Sequence, residues 1–341
     1  MDEPGIVRRK DEHIDLALQQ ADGAAASPFE GWRLEPCALP EMRLEEVSIE
    51  TDFLGRTLQA PFLISSMTGG PARSAEINAN LAVAAETVGV ALAVGSQRVA
   101  LEGAAQNGLG RRLRDLAPSI LLLGNLGGAQ LALGYGVDEG RRAMEMIGAD
   151  GLIVHLNPLQ EAVQPGGDRD WRGVLAGIET LARDLGAPVI VKEVGFGVSG
   201  AVARRLRDAG AAAIDVAGAG GTDWAVIEAG RGRSDMDRRV AEAFRGWGLA
   251  TPEALLQVRE ACPELPLIGS GGIRNGVDAA KAIRLGADLV GQAGAVLKAA
   301  LQSPEAVVSH FEVMARQLRV ACFATGAATL ADLRRVPIAR A

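Results

Sequence analysis

The chain has 341 residues, a net charge of −7 and a hydrophobic content of 48%, with only 4% aromatic side chains. That length supports one large domain or two ordinary ones with ample core, and the acidic balance, without a long block of Lys or Arg, excludes a general nucleic-acid or membrane surface. Cys37, Cys262 and Cys322 are widely spaced and form no CxxC, so neither a disulfide framework nor a zinc site is expected, and a reducing cytosol suits them.

The first fifteen residues, MDEPGIVRRKDEHID, are charged from the second position and contain no apolar signal region. No later apolar run approaches a bilayer span without Gly or charge, so a soluble cytoplasmic protein is the expectation. Within that stretch RRKDEH brings Arg9, Lys10 and His13 together, either as a solvated tail or as part of an anion clamp.

From residue 62 onward, short aliphatic runs recur, each ending in small or polar residues and each followed by a helical pattern. They are FLISSM (62–67), ALAVGS (91–96), SILLLGN (119–125), GLIVHLN (151–157), PVIVKEV (188–194), AIDVAG (213–218), LPLIGSG (265–271) and LVGQAG (289–294). The intervening segments, such as SAEINANLAVAAETVG and GVDAAKAIRLG, read as helices, several ending in a Gly that supplies a left-handed C-cap. Eight βα units with short connections predict an α/β fold, a closed TIM (β/α)8 barrel over 61–341 with C-terminal helices, preceded by an N-terminal extension over 1–60. An open doubly wound sheet does not need eight units, and its early GxGxxG is absent. The connection 217–251, rich in charge, reads as a long loop serving as a lid or binding segment.

Barrels of this kind carry their chemistry at the C-terminal ends of the strands. Those positions hold Ser66, Met67, Thr68, Ser96, Gln97, Arg98, Asn125, His155, Asn157, Gln160, Glu161, Lys192, Glu193, Thr222, Gly271, Gly272 and Arg274. So many polar groups on one rim describe a pocket for a large polar ligand. Gly271-Gly272 precedes a helix whose free amides are expected to point at the pocket and bind a phosphate. Lys192 lies inside a strand, where an unpaired ammonium is costly; it either pairs with a neighbouring carboxylate such as Asp215 or faces a negatively charged ligand, for which a reduced flavin is suitable. Glu161 is a helix N-terminal charge or a hard-metal ligand that shares Mg2+ with substrate phosphates.

The motifs SSMTGG (65–70), VGSQR (94–98), GNLG (124–127), HLNPLQE (155–161), KEVGFG (192–197), GAGGTDW (218–224), GWGLATP (246–252) and GSGGIRNGVD (269–278), with the N-terminal RKDEH, resemble the motif series of the type 2 isopentenyl-diphosphate isomerase family, in order and over nearly the whole chain. The resemblance implies an FMN-dependent enzyme that interconverts isopentenyl and dimethylallyl diphosphate without net redox change, needing reduced flavin, NADPH or NADH as reductant, and Mg2+. It implies FMN contacts from Ser66, Met67, Thr68, Ser96, Asn125, Lys192, Thr222, Gly271, Gly272, Ile273, Arg274, Ala293 and Gly294. It places the diphosphate substrate on Arg9, Lys10, His13, Ser96, Gln97, Arg98, His155 and Asn157, the metal on Glu161, and Gln160 beside the reacting carbons, with Gln160 and His155 as the catalytic pair. Family members form homo-oligomers, tetramers or octamers. Apart from His155 the rim offers few groups titrating near neutrality, which leaves room for the cofactor itself to act as acid and base.

Two other readings use the same barrel. An FMN-dependent 2-hydroxyacid oxidase shares a segment like GSGGIRNGVDAAKAIRLGA but needs a His base after the sixth strand, where this chain has DVAGAGGTDW. A non-catalytic flavin- or phosphate-binding protein would keep the cofactor residues but has no use for Gln160 and Glu161 beside a basic clamp.

Overall fold

The computed structural model describes residues 12–18, 20, 26–66, 72–103 and 108–340. Short strands β1 (Trp32–Leu34), β2 (Thr51–Phe53) and β3 (Arg56–Leu58) precede eight parallel strands: β4 (Phe62–Ile64), β5 (Ala91–Ala93), β6 (Leu122–Gly127), β7 (Gly151–His155), β8 (Val189–Lys192), β9 (Ala213–Asp215), β10 (Leu267–Ser270) and β11 (Leu289–Gln292). Each pairs with the next, and β11 pairs back onto β4, closing the barrel. All eight expected strands are present. They end earlier than the aliphatic runs suggest, β4 at Ile64, β5 at Ala93 and β9 at Asp215, although the N–H groups of Ser65, Val94 and Val216 still bond to the neighbouring strands.

Side chains alternate along each strand between the barrel interior and the helical shell. Leu63, Ala91, Ala93, Leu123, Ile153, Ile190, Ala213, Ile268 and Leu289 form the inner core together with Phe53 and Leu58 of the β2–β3 hairpin. Their neighbours Phe62, Ile64, Leu92, Leu152, Val154, Val189, Val191, Ile214 and Val290 pack outward against the helices. Burial on both faces explains why these runs are continuously aliphatic. Because the hairpin plugs the N-terminal mouth, a ligand site must lie at the other end.

The plugged end is braced twice by the same device. Arg114 donates to the carbonyls of Gly148 and Ile120 and to Asp150, which also accepts the N–H of Leu122. Arg259 donates to the carbonyls of Gly286 and Leu265 and to Asp288, which accepts the N–H of Leu267. Both carboxylates end the same tripeptide, Gly-Ala-Asp, immediately before β7 and β11. β1 pairs antiparallel with β12 (Ile338–Arg340), joining the two ends of the described chain.

The connection 217–251 corrects the expectation of a long loop, since it contains two helices. Asp223 caps helix Trp224–Gly230 by accepting the N–H groups of Ala225 and Val226, and Ser234 caps helix Asp235–Glu242. Residues 12–18 are also helical and lie against this connection: Gln20 exchanges two hydrogen bonds with the backbone of Asp223, and Arg231 pairs with Glu12. No described helix is long and apolar enough to cross a membrane.

Candidate active site

One step beyond the apolar inner layer, the same alternation places Ser65, Gly95, Asn125, His155, Lys192, Asp215, Ser270 and Gly291 around the open mouth. The ring is asymmetric. Gly291, Ser65 and Gly95 lie on or just past the adjacent strands β11, β4 and β5 and occupy little volume, whereas β6 to β10 contribute Asn125, His155, Lys192, Asp215 and Ser270 in succession. A broad, flat ligand has room on the small-residue side and polar partners opposite it.

His155 Nδ1 lies 2.8 Å from Asn125 Oδ1, and Asn125 Nδ2 donates to Ser66 Oγ at 2.7 Å. With Nδ1 bearing the proton for that bond, Nε2 carries the ring's lone pair. Gly127 is required beside this ring, since a Cβ there would lie 3.1 Å from His155 Nε2 and 2.1 Å from Gln130 Oε1. The Gln97 carboxamide is committed to framework bonds, donating to Ala143 O at 2.8 Å and accepting the N–H of Asn125 at 2.9 Å. Ser96, adjacent to it, is half-buried.

A second cluster grows from helix Pro158–Val163, started by Pro158 at its first turn. Asn157 Nδ2 donates to Gln160 Oε1 and to Glu161 Oε1, both at 3.1 Å. Glu161 Oε2 also accepts from Gln164 Nε2 at 2.5 Å and from the N–H of Asp168 at 2.8 Å. Arg98 pairs with Asp168 at 3.0 Å and with Glu102 at 2.9 Å, so it reaches the cluster through a carboxylate. Gln160 Nε2 donates to Glu228 Oε1 at 3.0 Å, and the same carboxylate meets His13 Nε2 at 3.0 Å and Arg231 at 2.6 Å. Burial alone pushes the Glu228 carboxyl up, but His13, Gln160 and Arg231 outweigh it and hold the group below its ordinary range.

The Gly271-Gly272 turn has φ of 102° and 72°, and side chains there would strike Gly218 O and Gly220 O. It packs onto the loop after β9 and carries the buried Ile273 and then Arg274. The following helix, Gly276–Arg284, differs from expectation: its first amides are occupied, Gly276 by Gln317 and Val277 and Asp278 by the capping Asn275. An anion at this turn therefore meets the glycine backbone rather than that helix end. After the adjacent strand, Gly294 opens the helix that follows β11 behind Ala293, which gives it no side-chain cap, and Thr222 Oγ1 lies 3.2 Å from where a Cβ of Gly294 would stand.

Lys192 is buried, and its Nζ donates to the carbonyl of Glu193 at 2.5 Å. Glu193 Oε2 accepts the N–H groups of Val194, Gly195 and Phe196. Burial holds the Glu193 carboxyl up at about 7 against those donors and Lys192, which pull it down. Arg9, Lys10, Met67 and Thr68 lie outside the described residues. Sequence reasoning missed Glu228 and Arg231 because they sit in a segment read as loop; the signal was Asp223 as an N-cap ahead of the run Trp224-Ala225-Val226-Ile227.

The residues present fit a flavin phosphate: a glycine turn without room for side chains, a buried cation, and a mouth lined by small residues on one side. They also fit a hard cation held largely by substrate, since Glu161 is a single carboxylate and the described residues contain no group of three or more His, Cys, Asp or Glu that could hold a metal alone.

Residues 163–340, more than half of the chain, match the family FMN-dependent dehydrogenase. The chain is 63% identical to the isopentenyl-diphosphate delta-isomerase of Stutzerimonas stutzeri (strain A1501), over 98% of this chain and 97% of that one. It is 62% identical to the enzyme of the same name from Xanthobacter autotrophicus (strain ATCC BAA-1158 / Py2), over 99% of each chain. Among solved structures, mandelate oxidase with benzoyl-formic acid superposes with a TM-score of 0.64 at 20% identity, covering 96% of this chain and 90% of that one, a likeness of fold alone. At such identity over nearly its full length, and with this barrel, the chain belongs to the isopentenyl-diphosphate delta-isomerase family.

Proposed function

We propose that this chain interconverts isopentenyl diphosphate and dimethylallyl diphosphate with FMN bound in the barrel mouth. The observation that carries the reading is the bond from Gln160 to Glu228, which fixes a neutral carboxamide, rather than a titrating base, within the polar cluster. A carboxamide neither donates nor accepts a proton readily near neutrality, so Gln160 positions the substrate carbons. Reduced FMN, when bound, supplies the acid and base for moving a proton along the allyl unit.

The remaining residues divide the work by charge. His155, oriented by Asn125, and Asn157 contact the diphosphate, together with Arg9, Lys10, His13, Ser96 and Arg98; Arg98 is drawn from Asp168 toward the phosphates. Glu161 holds Mg2+ with the diphosphate oxygens, and its three donors keep its carboxylate in one orientation. Ser66, Met67, Thr68, Asn125, Lys192, Thr222, the turn at 271–274 and Ala293-Gly294 hold the flavin. NADPH or NADH reduces the flavin without being consumed in proportion to product. Residues 1–60 supply part of the diphosphate clamp to the barrel at 61–341, and the protein works in the cytoplasm as a homo-oligomer.

The oxidase reading has no support at its key position. The chain's three histidines are His13, His155 and His310; none lies in the connection between β9 and β10, and His310 is bonded to Gln292 on the outer side of β11. The test is to purify the protein, record its visible spectrum, and add isopentenyl diphosphate, Mg2+ and NADPH anaerobically. A flavin spectrum and dimethylallyl product support the proposal. A colourless protein without FMN affinity overturns the cofactor reading, and a yellow protein that forms no product overturns the isomerase reading.

A further inference from the structure

Asp215 sits in the barrel interior on β9, in register with Lys192 on β8, and is fully buried. Its two oxygens are treated differently. Oδ1 accepts from Ser270 Oγ at 2.6 Å and from the N–H of Ala217 at 3.2 Å, whereas Oδ2, equally buried, has no hydrogen-bond partner. A role confined to bracing β9 against β10 needs only Oδ1. A buried carboxylate oxygen left without a donor is costly, and such a group calls for a counter-charge.

Lys192, in register with Asp215 on the neighbouring strand, is the cation placed to supply that counter-charge. The two side chains occupy neighbouring places in the inner ring, and their mutual attraction opposes the effect of burial on each, which pushes the ammonium down and the carboxyl up. Other titratable groups around Lys192 are already engaged. The Glu193 carboxylate turns onto three backbone amides, so Nζ meets its carbonyl instead. His155, in register with Lys192 on β7, is bonded to Asn125. Ser270, on the far side of Asp215, is neutral.

We propose that Asp215, held by Ser270, is a positioning residue that keeps Lys192 a cation at the flavin and thereby sets how strongly the site favours the reduced over the oxidised cofactor. The proposal rests on the reading that Lys192 faces FMN. A reduced flavin carries negative charge that an ammonium stabilises and a neutral amine does not. Losing the carboxylate therefore removes the attraction that opposes burial at the ammonium, and losing the lysine outright acts on the flavin in the same direction.

The experiment measures the midpoint potential of the FMN-loaded full chain at neutral pH, with thermal unfolding of each variant as the folding control. Lys192→Gln is expected to weaken reduced FMN relative to oxidised FMN about tenfold, a fall of about 30 mV for the two-electron couple. Asp215→Asn is expected to lower the potential in the same direction, and the Lys192→Gln, Asp215→Asn double variant to fall no further than Lys192→Gln alone. Ser270→Ala, which leaves the carboxylate in place but loosens it, is expected to give a smaller fall and decides the matter if Asp215→Asn does not fold. A lowered potential in Lys192→Gln with an unchanged or raised potential in Asp215→Asn or Ser270→Ala overturns the role of Asp215. An unchanged potential in Lys192→Gln overturns the placement of Lys192 at the flavin, and the proposal with it.

Discussion

Gln160 donates to the carboxylate of Glu228 at 3.0 Å, joining the helix after β7 to a helix in the connection after β9. Since Asn157 occupies the other end of the Gln160 carboxamide, the group has one orientation relative to the barrel. Glu228→Gln removes the charge that fixes it and leaves Arg231 and His13 without their shared partner. Turnover is expected to fall about 100-fold, as for other small misplacements near reacting atoms, while FMN remains bound. Steady-state rates alongside flavin absorbance check this; unchanged turnover contradicts it.

Glu228 also gives a pH dependence with a definite sign. Its folded-state pKa lies below the ordinary glutamate value of 4.5, because His13, Gln160 and Arg231 overcome the effect of burial. The stability it contributes is therefore fully present above about 4.5 and is lost as pH falls through the lower folded value. Thermal unfolding between pH 3 and pH 6, on the order of that window, should show a steeper acid loss in the parent protein than in Glu228→Gln. Parallel curves would remove Glu228 as a source of that loss.

Glu161 receives three hydrogen bonds from Asn157, Gln164 and Asp168, so its carboxylate is oriented before any cation arrives. Glu161→Gln keeps the shape and removes the charge. The Mg2+ concentration needed for half-maximal rate is expected to rise roughly tenfold or more, in line with losing a charged ligand, with the flavin spectrum unchanged. Loss of FMN in this variant would make Glu161 a structural residue.

Gly271 has φ of 102°, and a Cβ on it would lie 2.1 Å from Gly218 O. Gly271→Ala is expected to cost at least about 1–3 kcal/mol from backbone strain and to displace the turn from any phosphate it binds. The checks are a lowered melting temperature and release of FMN on gel filtration. A variant that keeps both its stability and its flavin contradicts the assignment of this turn.

The barrel was legible because its strands are buried on both faces, which makes Leu-Ile-Val in β7 and Val-Ile-Val in β8 continuously aliphatic and unlike the amphipathic helices between them. The polar mouth was legible too, since His155 and Lys192 interrupt such runs one step past the last apolar interior residue. The connection 217–251 was harder to read: its two helices are short and charged, and their caps at Asp223 and Ser234 lie among glycine-rich turns that dominate the local pattern. Nothing in that local pattern distinguishes Glu228 from its charged neighbours, although tertiary packing buries it. Strand-end position likewise could not separate Gln97, whose amide braces the backbone between two strands and a helix, from residues available to a ligand. Nor could it show that Asn275 and Gln317 already occupy the helix amides next to Gly271-Gly272.

The central claim is a redox-neutral allylic proton shift on an FMN barrel. Its most direct test follows isopentenyl diphosphate by proton NMR in D2O under anaerobic conditions, with the protein's FMN reduced once beforehand and Mg2+ present. The account predicts many turnovers to dimethylallyl diphosphate with deuterium entering the carbon skeleton and no further reductant consumed. Product formed only in proportion to added reductant, or no product from protein that carries reduced FMN, would contradict it.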